Sequence, residues 1–157
     1  MSHFLQHKPL CLASSSPRRQ MLLKNYGLQF ECRSPKIDET PRKNEAAKNF
    51  VKRMATEKAR AGQRGFSELP ENVIILAGDT IVFFDNMILG KPETAEHARS
   101  MLRQLSGQTH QVYSGFSILD TISGDEITEV VCTEVRFQKL RRDLLEWYVN
   151  SGETLEK

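Results

Sequence analysis

The chain has 157 residues, a length that suits one domain with its own hydrophobic core. Hydrophobic residues make up 39% and charged residues 27%, which is typical of a globular protein. The net charge of +2, from 22 Lys and Arg against 20 Asp and Glu, argues against a protein that neutralises a nucleic-acid backbone, so we expect no nucleic-acid partner.

The cysteines and the apolar runs exclude further classes. Cys11, Cys32 and Cys132 are far apart and odd in number, so they predict neither a zinc site nor a disulfide framework, and they favour a reducing compartment. The apolar run over 10–13 is far shorter than the roughly 20 residues of a membrane span. We therefore expect a cytoplasmic protein with no membrane association.

Two strands and two helices are predicted in the first part of the chain. The apolar run over 10–13 indicates a buried strand that ends in a serine-rich turn, and a helix should follow with Ser16 as its N-cap and Pro17 at its first position. This helix should end at Gly27, and its expected buried face is Leu22, Leu23 and Tyr26. A second strand is expected over 30–34. A longer helix is expected over about 45–61, with an apolar stripe made of Ala47, Phe50, Val51 and Met54.

The second part predicts a central strand, a hairpin, two helices and a pair of long strands. The apolar run over 73–77 indicates a central strand that stops at Gly78-Asp79-Thr80. Asp85-Asn86 predicts a hairpin turn, and a helix is expected over 94–105 with Thr94 as its cap. Two antiparallel strands are expected over 111–137, followed by a helix over 141–151. The expected inward-facing residues are Ala98, Met101, Leu102 and Leu105, then Leu144, Leu145 and Tyr148, while Ile127, Val131, Val135 and Phe137 share a strand face.

The serine-rich turn is the first candidate binding site. Ser14-Ser15-Ser16-Pro17-Arg18-Arg19 offers hydroxyls, amides at a helix start and two guanidinium groups, all of which can donate to an anion. The plainer alternative is a helix cap followed by solvated arginines.

Four charged positions add to this candidate. Lys58 falls in the apolar stripe of the long helix, so either its stem passes beyond the helix end or its ammonium group points into a polar cleft. Asp79 is expected at the carboxyl end of a central strand, where open α/β sheets bind ligands, although it also suits a turn. Lys91 lies in Gly90-Lys91-Pro92, which is either a close approach to a ligand or a hairpin exit. Asp38 and Glu39 supply carboxylates from a polar loop, where adjacent acids are usually only solvated.

The candidate residues supply cations, carboxylates and hydroxyls, and they include no cysteine or histidine nucleophile. This set of groups suits the binding of a polyphosphate together with Mg²⁺. His3, His7, His97 and His110 show no metal-ligand spacing and are expected to be structural or surface residues.

Six motifs occur in the order seen in Maf proteins, from about residue 10 to 157, so the chain resembles the Maf family. The motifs are Leu12-Ala13-Ser14-Ser15-Ser16-Pro17-Arg18-Arg19, Ile37-Asp38-Glu39-Thr40, Glu57-Lys58-Ala59, Gly78-Asp79-Thr80-Ile81-Val82, Gly90-Lys91-Pro92 and Leu105-Ser106-Gly107-Gln108-Thr109-His110. The resemblance implies one two-lobed α/β domain over 1–157, a twisted mixed β-sheet with flanking helices similar to the inosine triphosphate pyrophosphatases. It also implies hydrolysis of a nucleoside triphosphate to its monophosphate and pyrophosphate with a divalent metal, Mg²⁺ or Mn²⁺.

The resemblance also assigns expected roles. Ser14, Arg18, Arg19, Lys58 and Lys91 match phosphate and nucleotide ligands, while Glu39 and Asp79 match the metal side, with Asp79 as the presumed proton acceptor. Arg18 and Thr80 match specificity positions of the dTTP/UTP branch, and non-standard nucleotides are a further substrate class. Relatives often dimerise, so a homodimer is a possible assembly.

The chain departs from the family pattern at two places. Gly78 replaces a more usual Ala and is expected to alter packing rather than chemistry. Family members continue beyond the segment that matches 151–157, so the C-terminal part of the family fold is expected to be absent, with apolar surface exposed as a result. The alternative function is therefore a catalytically impaired nucleotide-binding or interaction protein linked to cell division.

Overall fold

A computed structural model describes residues 7–65 and 72–152, and these residues form six strands and four helices. In chain order they are β1 Leu10–Leu12, α1 Pro17–Asn25, β2 Glu31–Cys32, α2 Ala47–Gly65, β3 Ile74–Phe84, β4 Met87–Leu89, α3 Ala95–Leu105, β5 Thr109–Asp120, β6 Glu126–Arg136 and α4 Arg142–Asn150. The predictions for His3 and for residues 153–157 lie outside the described residues.

The strands form one mixed sheet in the order β2-β1-β3-β5-β6, and β4 pairs with β3. β1 runs parallel to β2 and to β3, with Leu10 opposite Ile74 and Leu12 opposite Leu76. β4 runs antiparallel to β3, with Phe84 opposite Met87. The predicted α/β fold with a mixed sheet and helices is therefore confirmed.

The described residues divide into two compact units. The first takes the residues up to Asp79 together with Ser114–Val131, and the second takes Thr80–Tyr113 together with the residues from Cys132 onward. The boundary thus falls within β3, β5 and β6. The single two-lobed domain expected from the sequence stays a prediction.

The core of the first unit lies against one face of β3. Side chains alternate between the faces of a strand, and the buried Ile75 and Ala77 belong to one cluster with Ala59 of α2. The other members of this cluster are Cys11, Ala13, Val73 and Leu119. The predicted apolar stripe of α2 is also confirmed, since Ala47, Phe50, Val51 and Met54 are all buried.

Helix α2 lies against β5 with no side chain between them at Gly115. A Cβ atom added to Gly115 would lie 2.8 Å from the carbonyl oxygen of Val51, which is closer than real Cβ contacts come. Only glycine therefore allows the helix to approach the strand at this position.

In the second unit, α3 packs against α4. Ala98 of α3 forms a buried cluster with Leu145 and Val149 of α4, and Leu105 at the end of α3 is also buried. The predicted cap is present, because Thr94 Oγ1 accepts a hydrogen bond from the backbone amide of His97. Asp85 and Asn86 have φ of 49° and 59°, which confirms the predicted hairpin turn between β3 and β4.

Three expectations about these elements are wrong. β3 does not stop at Gly78-Asp79-Thr80 but continues to Phe84, because Val82 to Phe84 pair with β4 and extend the strand. Helix α1 has no buried residue, and Leu22 and Tyr26 of its expected buried face are 55% and 65% exposed. In α4 the buried pair is Leu145 and Val149, whereas Leu144 is 47% exposed, since only the former pair faces Ala98.

Within residues 7–65 and 72–152, every helix is too short or too polar to cross a lipid bilayer.

Candidate active site

Asp79 is a buried carboxylate within β3. It continues the alternating row of Ile75 and Ala77, so its side chain follows two core residues on the same face of the strand. The sequence predicted Asp79 at the end of a strand, and this is wrong, because Asp79 lies inside a strand of eleven residues. A buried carboxylate needs a partner, because an unpaired charge away from water is costly.

Lys58 of α2 supplies that partner. Its Nζ atom lies 2.7 Å from Oδ1 of Asp79 and 3.2 Å from Oε2 of Glu39, and only 13% of its side chain is exposed. Of the two alternatives for Lys58, the structure shows the one in which the ammonium group enters a polar environment. Glu39, Lys58 and Asp79, from a loop, a helix and a strand, are called the carboxylate-lysine site below.

Helix α2 is fastened to β6 on both sides of Lys58. Two residues before it, Thr56 Oγ1 hydrogen bonds to Oγ1 of Thr128 at 3.2 Å. Two residues after it, Arg60 Nη2 lies 2.7 Å from Oε2 of Glu126. These contacts hold the helix where the Lys58 side chain reaches Asp79.

Ser14 and Arg19 of the serine-rich turn lie together. The buried Ser14 hydroxyl oxygen accepts hydrogen bonds from the backbone amide of Ser16 at 3.2 Å and from Nη1 of Arg19 at 3.1 Å. Arg19 also lies against Gly78, where an added Cβ would be 3.4 Å from its Nε atom. Ser14 therefore orients Arg19 as well as closing the turn.

The electrostatics connect Arg19 with the carboxylate-lysine site. Burial lowers the pKa of the Arg19 guanidinium from its usual value, while the charges of Asp79 and Glu39 act in the opposite direction. A partly desolvated cation near two carboxylates and an ammonium group gives two positive and two negative charges. The formal charges of this cluster therefore cancel.

The remaining predicted site residues are exposed. Arg18 is exposed at the start of α1, and Thr80 is exposed directly after Asp79 in β3. Lys91 is exposed just after β4 and belongs to the second unit. Hydrogen bonds from the Thr40 side chain and from the Thr40 backbone amide, the latter at 2.9 Å, lower the pKa of Asp38. The roles of Arg18, Thr80 and Lys91 stay predictions.

His110 has a structural environment. It is buried in the second unit, its ring contacts Phe137 edge to face with a centroid separation of 4.9 Å, and burial lowers the pKa of His110. It also lines a groove of about 310 Å³ with Phe83, Asp85 and Glu134. None of the predicted catalytic or binding residues lines this groove.

Arg53 holds the loop next to Glu39, a role that no motif in the sequence indicates. The Arg53 guanidinium donates to both carboxylate oxygens of Glu45 at 2.7 Å and to the carbonyl oxygen of Thr40 at 3.1 Å. The spacing of Arg53 and Glu57, four residues apart on a helix, was the one available signal for a charged cluster here.

The donor set of the carboxylate-lysine site fits Mg²⁺ or Mn²⁺. Asp79 and Glu39 both come within 3.2 Å of one ammonium group, so their oxygens can converge on one cation. No cluster of three or more Asp, Glu, His or Cys that could hold a metal occurs in the described ranges. Mg²⁺ is commonly held by one or two carboxylates and completes its coordination with water and substrate phosphates.

A model of the family described as Maf-like protein matches residues 9–157, so the chain belongs to the Maf family. Among its relatives, a dTTP/UTP pyrophosphatase of Desulforamulus reducens is 37% identical over 150 residues, covering 96% of this chain and 76% of the relative. That of Methylococcus capsulatus is 43% identical over 149 residues, covering 94% and 71%. That of Salmonella typhimurium is 44% identical over 148 residues, covering 94% and 73%.

A solved structure of a nucleoside-triphosphatase, dITP/XTP pyrophosphatase from Mycobacterium abscessus, is 15% identical to this chain with a TM-score of 0.46. The match covers 80% of this chain and 71% of that chain.

Proposed function

We propose that this protein is a hydrolase that cuts dTTP and UTP between the α and β phosphates, giving the nucleoside monophosphate and pyrophosphate. The observation that carries the proposal is the meeting of Lys58 with Asp79 and Glu39 at 2.7 and 3.2 Å. The names of the Maf relatives, 37 to 44% identical, support the substrate class.

Asp79 acts on the attacking water in this proposal. Water attacks the α phosphorus, Asp79 accepts its proton, and the bond from that phosphorus to the bridging oxygen breaks with its electrons on pyrophosphate. Lys58 contacts the same carboxylate at 2.7 Å, so a phosphate that draws the ammonium group towards itself also makes Asp79 available to water.

The cations hold the leaving group. Arg19 presents a partly buried guanidinium oriented by Ser14, and Lys58 presents an ammonium group, so both can donate to oxygens where negative charge accumulates. Arg18 is a further exposed cation of the first unit that we assign to phosphate charge.

We assign Glu39 and Asp79 as the carboxylates that bind Mg²⁺ or Mn²⁺. When bound, the ion would supply positive charge to the phosphate oxygens. This charge is needed because the charges of the two cations and two carboxylates cancel. We place the reaction in the cytoplasm, in keeping with three widely spaced cysteines.

The test is pyrophosphate release by the purified chain from dTTP and UTP with Mg²⁺, compared among wild type, Asp79→Asn and Asp125→Asn. We expect Asp79→Asn to lose at least about 100-fold in rate, the scale for removing one preorganised catalytic contact. Asp125→Asn changes an exposed turn residue of the same unit and should keep the wild-type rate. Nucleotide binding without turnover by wild type would instead support the non-catalytic alternative, and full turnover by Asp79→Asn would refute the role of Asp79.

A further inference from the structure

The Arg53 side chain makes more charge-assisted contacts than any other cation of α2 in the described residues. Nε and Nη2 each donate to one carboxylate oxygen of Glu45 at 2.7 Å, Nη2 also donates to the carbonyl oxygen of Thr40 at 3.1 Å, and Nη1 lies 3.5 Å from Glu57. The guanidinium lies over the Phe50 ring, 5.4 Å from its centroid. The planar guanidinium of arginine can donate to all of these partners at once, whereas the ammonium group of lysine cannot.

These contacts fix two points of the loop over 33–46 between β2 and α2. Thr40 lies in the middle of this loop, and Glu45 lies two residues before α2. Glu45 also accepts a hydrogen bond from the backbone amide of Arg42 at 2.9 Å, so the loop is bonded within itself and to the helix. Glu39 is the residue immediately before Thr40.

Glu39 cannot hold this position by its own contact. Its side chain is 58% exposed, and its ion pair with Lys58 spans 3.2 Å. Water screens an ion pair in which one partner is this exposed, so the pair contributes little to fixing the backbone of Glu39. The position of the Glu39 backbone must therefore come from its neighbours.

The Arg53-Glu45 pair is strong enough to supply that position. Only 14% of the Arg53 side chain and 9% of the Glu45 side chain are exposed, and the pair is bidentate. The hydrogen bond from Arg53 lowers the pKa of Glu45 to about 2. A loop fastened in this way keeps Glu39 near Lys58 whether or not Glu39 itself has a ligand.

We propose that Arg53 is a positioning residue, which holds the carbonyl of Thr40 and thereby places the Glu39 carboxylate beside Lys58 and Asp79. Arg53 touches neither substrate nor metal in this role. Its consequence for catalysis rests on the proposed function, whereas its consequence for the loop does not.

The first experiment measures the loop directly, by hydrogen exchange of the backbone amides of residues 38–40 and 42–44 in wild type, Arg53→Lys and Arg99→Lys. Arg53→Lys keeps the charge but loses the fork, so we expect exchange to accelerate by about tenfold or more. Arg99→Lys is the matched control, because Arg99 pairs with Glu146 at 2.8 Å in the other unit. Unchanged exchange in Arg53→Lys, or equal acceleration in both variants, overturns the proposal.

The second experiment asks whether Arg53 acts through Glu39, using Mn²⁺ binding detected by the loss of the free-ion paramagnetic resonance signal. We expect Arg53→Lys to weaken Mn²⁺ binding by about 10-fold, the lower end for residues that orient a metal ligand. In the Glu39→Gln background the same change should have an effect below about 2-fold, because the group that Arg53 positions is no longer a charged ligand. An equal effect in both backgrounds overturns the proposal.

Failure of the proposed function gives a different result. If wild type releases no pyrophosphate from dTTP or UTP, the hydrolase proposal fails. The amide exchange of the loop and the Mn²⁺ titration still decide the role of Arg53, because neither needs turnover.

Discussion

The ammonium group of Lys58 lies within 3.2 Å of both carboxylates that we assign to the metal. It therefore neutralises the same carboxylate charges to which a divalent cation would bind. Lysine and metal ion compete for the same oxygens unless the lysine moves to a phosphate. This competition gives Lys58 opposite effects on metal binding and on turnover.

Replacing Lys58 by methionine tests these opposite effects. Lys58→Met should bind Mn²⁺ more tightly than wild type in the absence of nucleotide, because the competing cation is gone. Pyrophosphate release should fall by about 100-fold or more, because a contact to the charged leaving group is lost. Titration of Mn²⁺ and a pyrophosphate assay measure the two effects. Lys52→Met, an exposed lysine of the same helix, is the control, and weaker Mn²⁺ binding by Lys58→Met would contradict the competition.

The Glu45 carboxylate predicts how stability depends on pH. Its pKa is lowered from 4.5 to about 2, chiefly by the hydrogen bond from Arg53. The stabilisation is therefore complete above about pH 4.5 and is lost as the pH falls towards 2. Glu45→Gln should lower the free energy of unfolding at pH 6 and reduce its dependence on pH between 4.5 and 2. Urea unfolding at several pH values measures this, and an unchanged slope would contradict it.

Helix α2 is the element on which the site depends. It carries Lys58 and Arg53, it is fastened to β6 by Thr56 and Arg60, and it meets β5 directly at Gly115. A displacement of this helix would move both the ammonium group and the loop that bears Glu39.

Substitution of Gly115 tests this dependence. In Gly115→Ala the new Cβ would lie 2.8 Å from the carbonyl oxygen of Val51, so the helix must shift. We expect a loss of about 1 to 3 kcal/mol in the free energy of unfolding, the usual cost of overpacking. Gly90→Ala is the control, because a Cβ there has no atom within 4 Å. Equal thermal melting of the two variants would argue against close packing at Gly115.

The elements set by local chemistry could be predicted from the sequence. The period of α2, the Thr94 cap of α3 and the turn at Asp85 and Asn86 follow from short-range rules, and all three are present. Lys58 could be identified because a cation in an apolar stripe needs a partner. Local sequence patterns were sufficient where a residue's partner is close in sequence. They were also sufficient where the residue type is unusual for its position, as a lysine is in an apolar stripe.

The rest depended on tertiary contacts. Gly78-Asp79-Thr80 has the composition of a turn, yet pairing with β4 carries β3 onward to Phe84. The stripe of α1 resembles a buried face, but no partner covers it in the described residues. Arg53 bonds to groups 8 and 13 residues away, separations for which helix spacing rules give no guidance.

At the scale of the whole molecule, apolar side chains are exposed on the part of the sheet that belongs to the first unit. Ile127 and Val131 of β6 are 61% and 56% exposed, and Phe116 and Ile118 of β5 are 37% and 36% exposed.

A pair of substitutions tests whether this surface contributes to folding. Ile127→Thr with Val131→Thr should change the free energy of unfolding by no more than about 0.5 kcal/mol per site, because exposed side chains lose little contact. Binding of an apolar dye should decrease. Val51→Thr is the control, since Val51 is 0% exposed and its new hydroxyl would be buried at a cost of about 1 to 3 kcal/mol. A large destabilisation by the surface pair would show that these side chains are covered in solution.

Gly78 adjusts the site without contributing a charge. A methyl group at this position would lie 3.1 Å from the carbonyl oxygen of Gly115, so that carbonyl would have to yield by a few tenths of an ångström, whereas its 3.4 Å separation from Nε of Arg19 is an ordinary van der Waals contact. The choice between hydrogen and methyl on one backbone carbon therefore sets how closely β3 approaches β5 beside a guanidinium, while every charged residue stays the same.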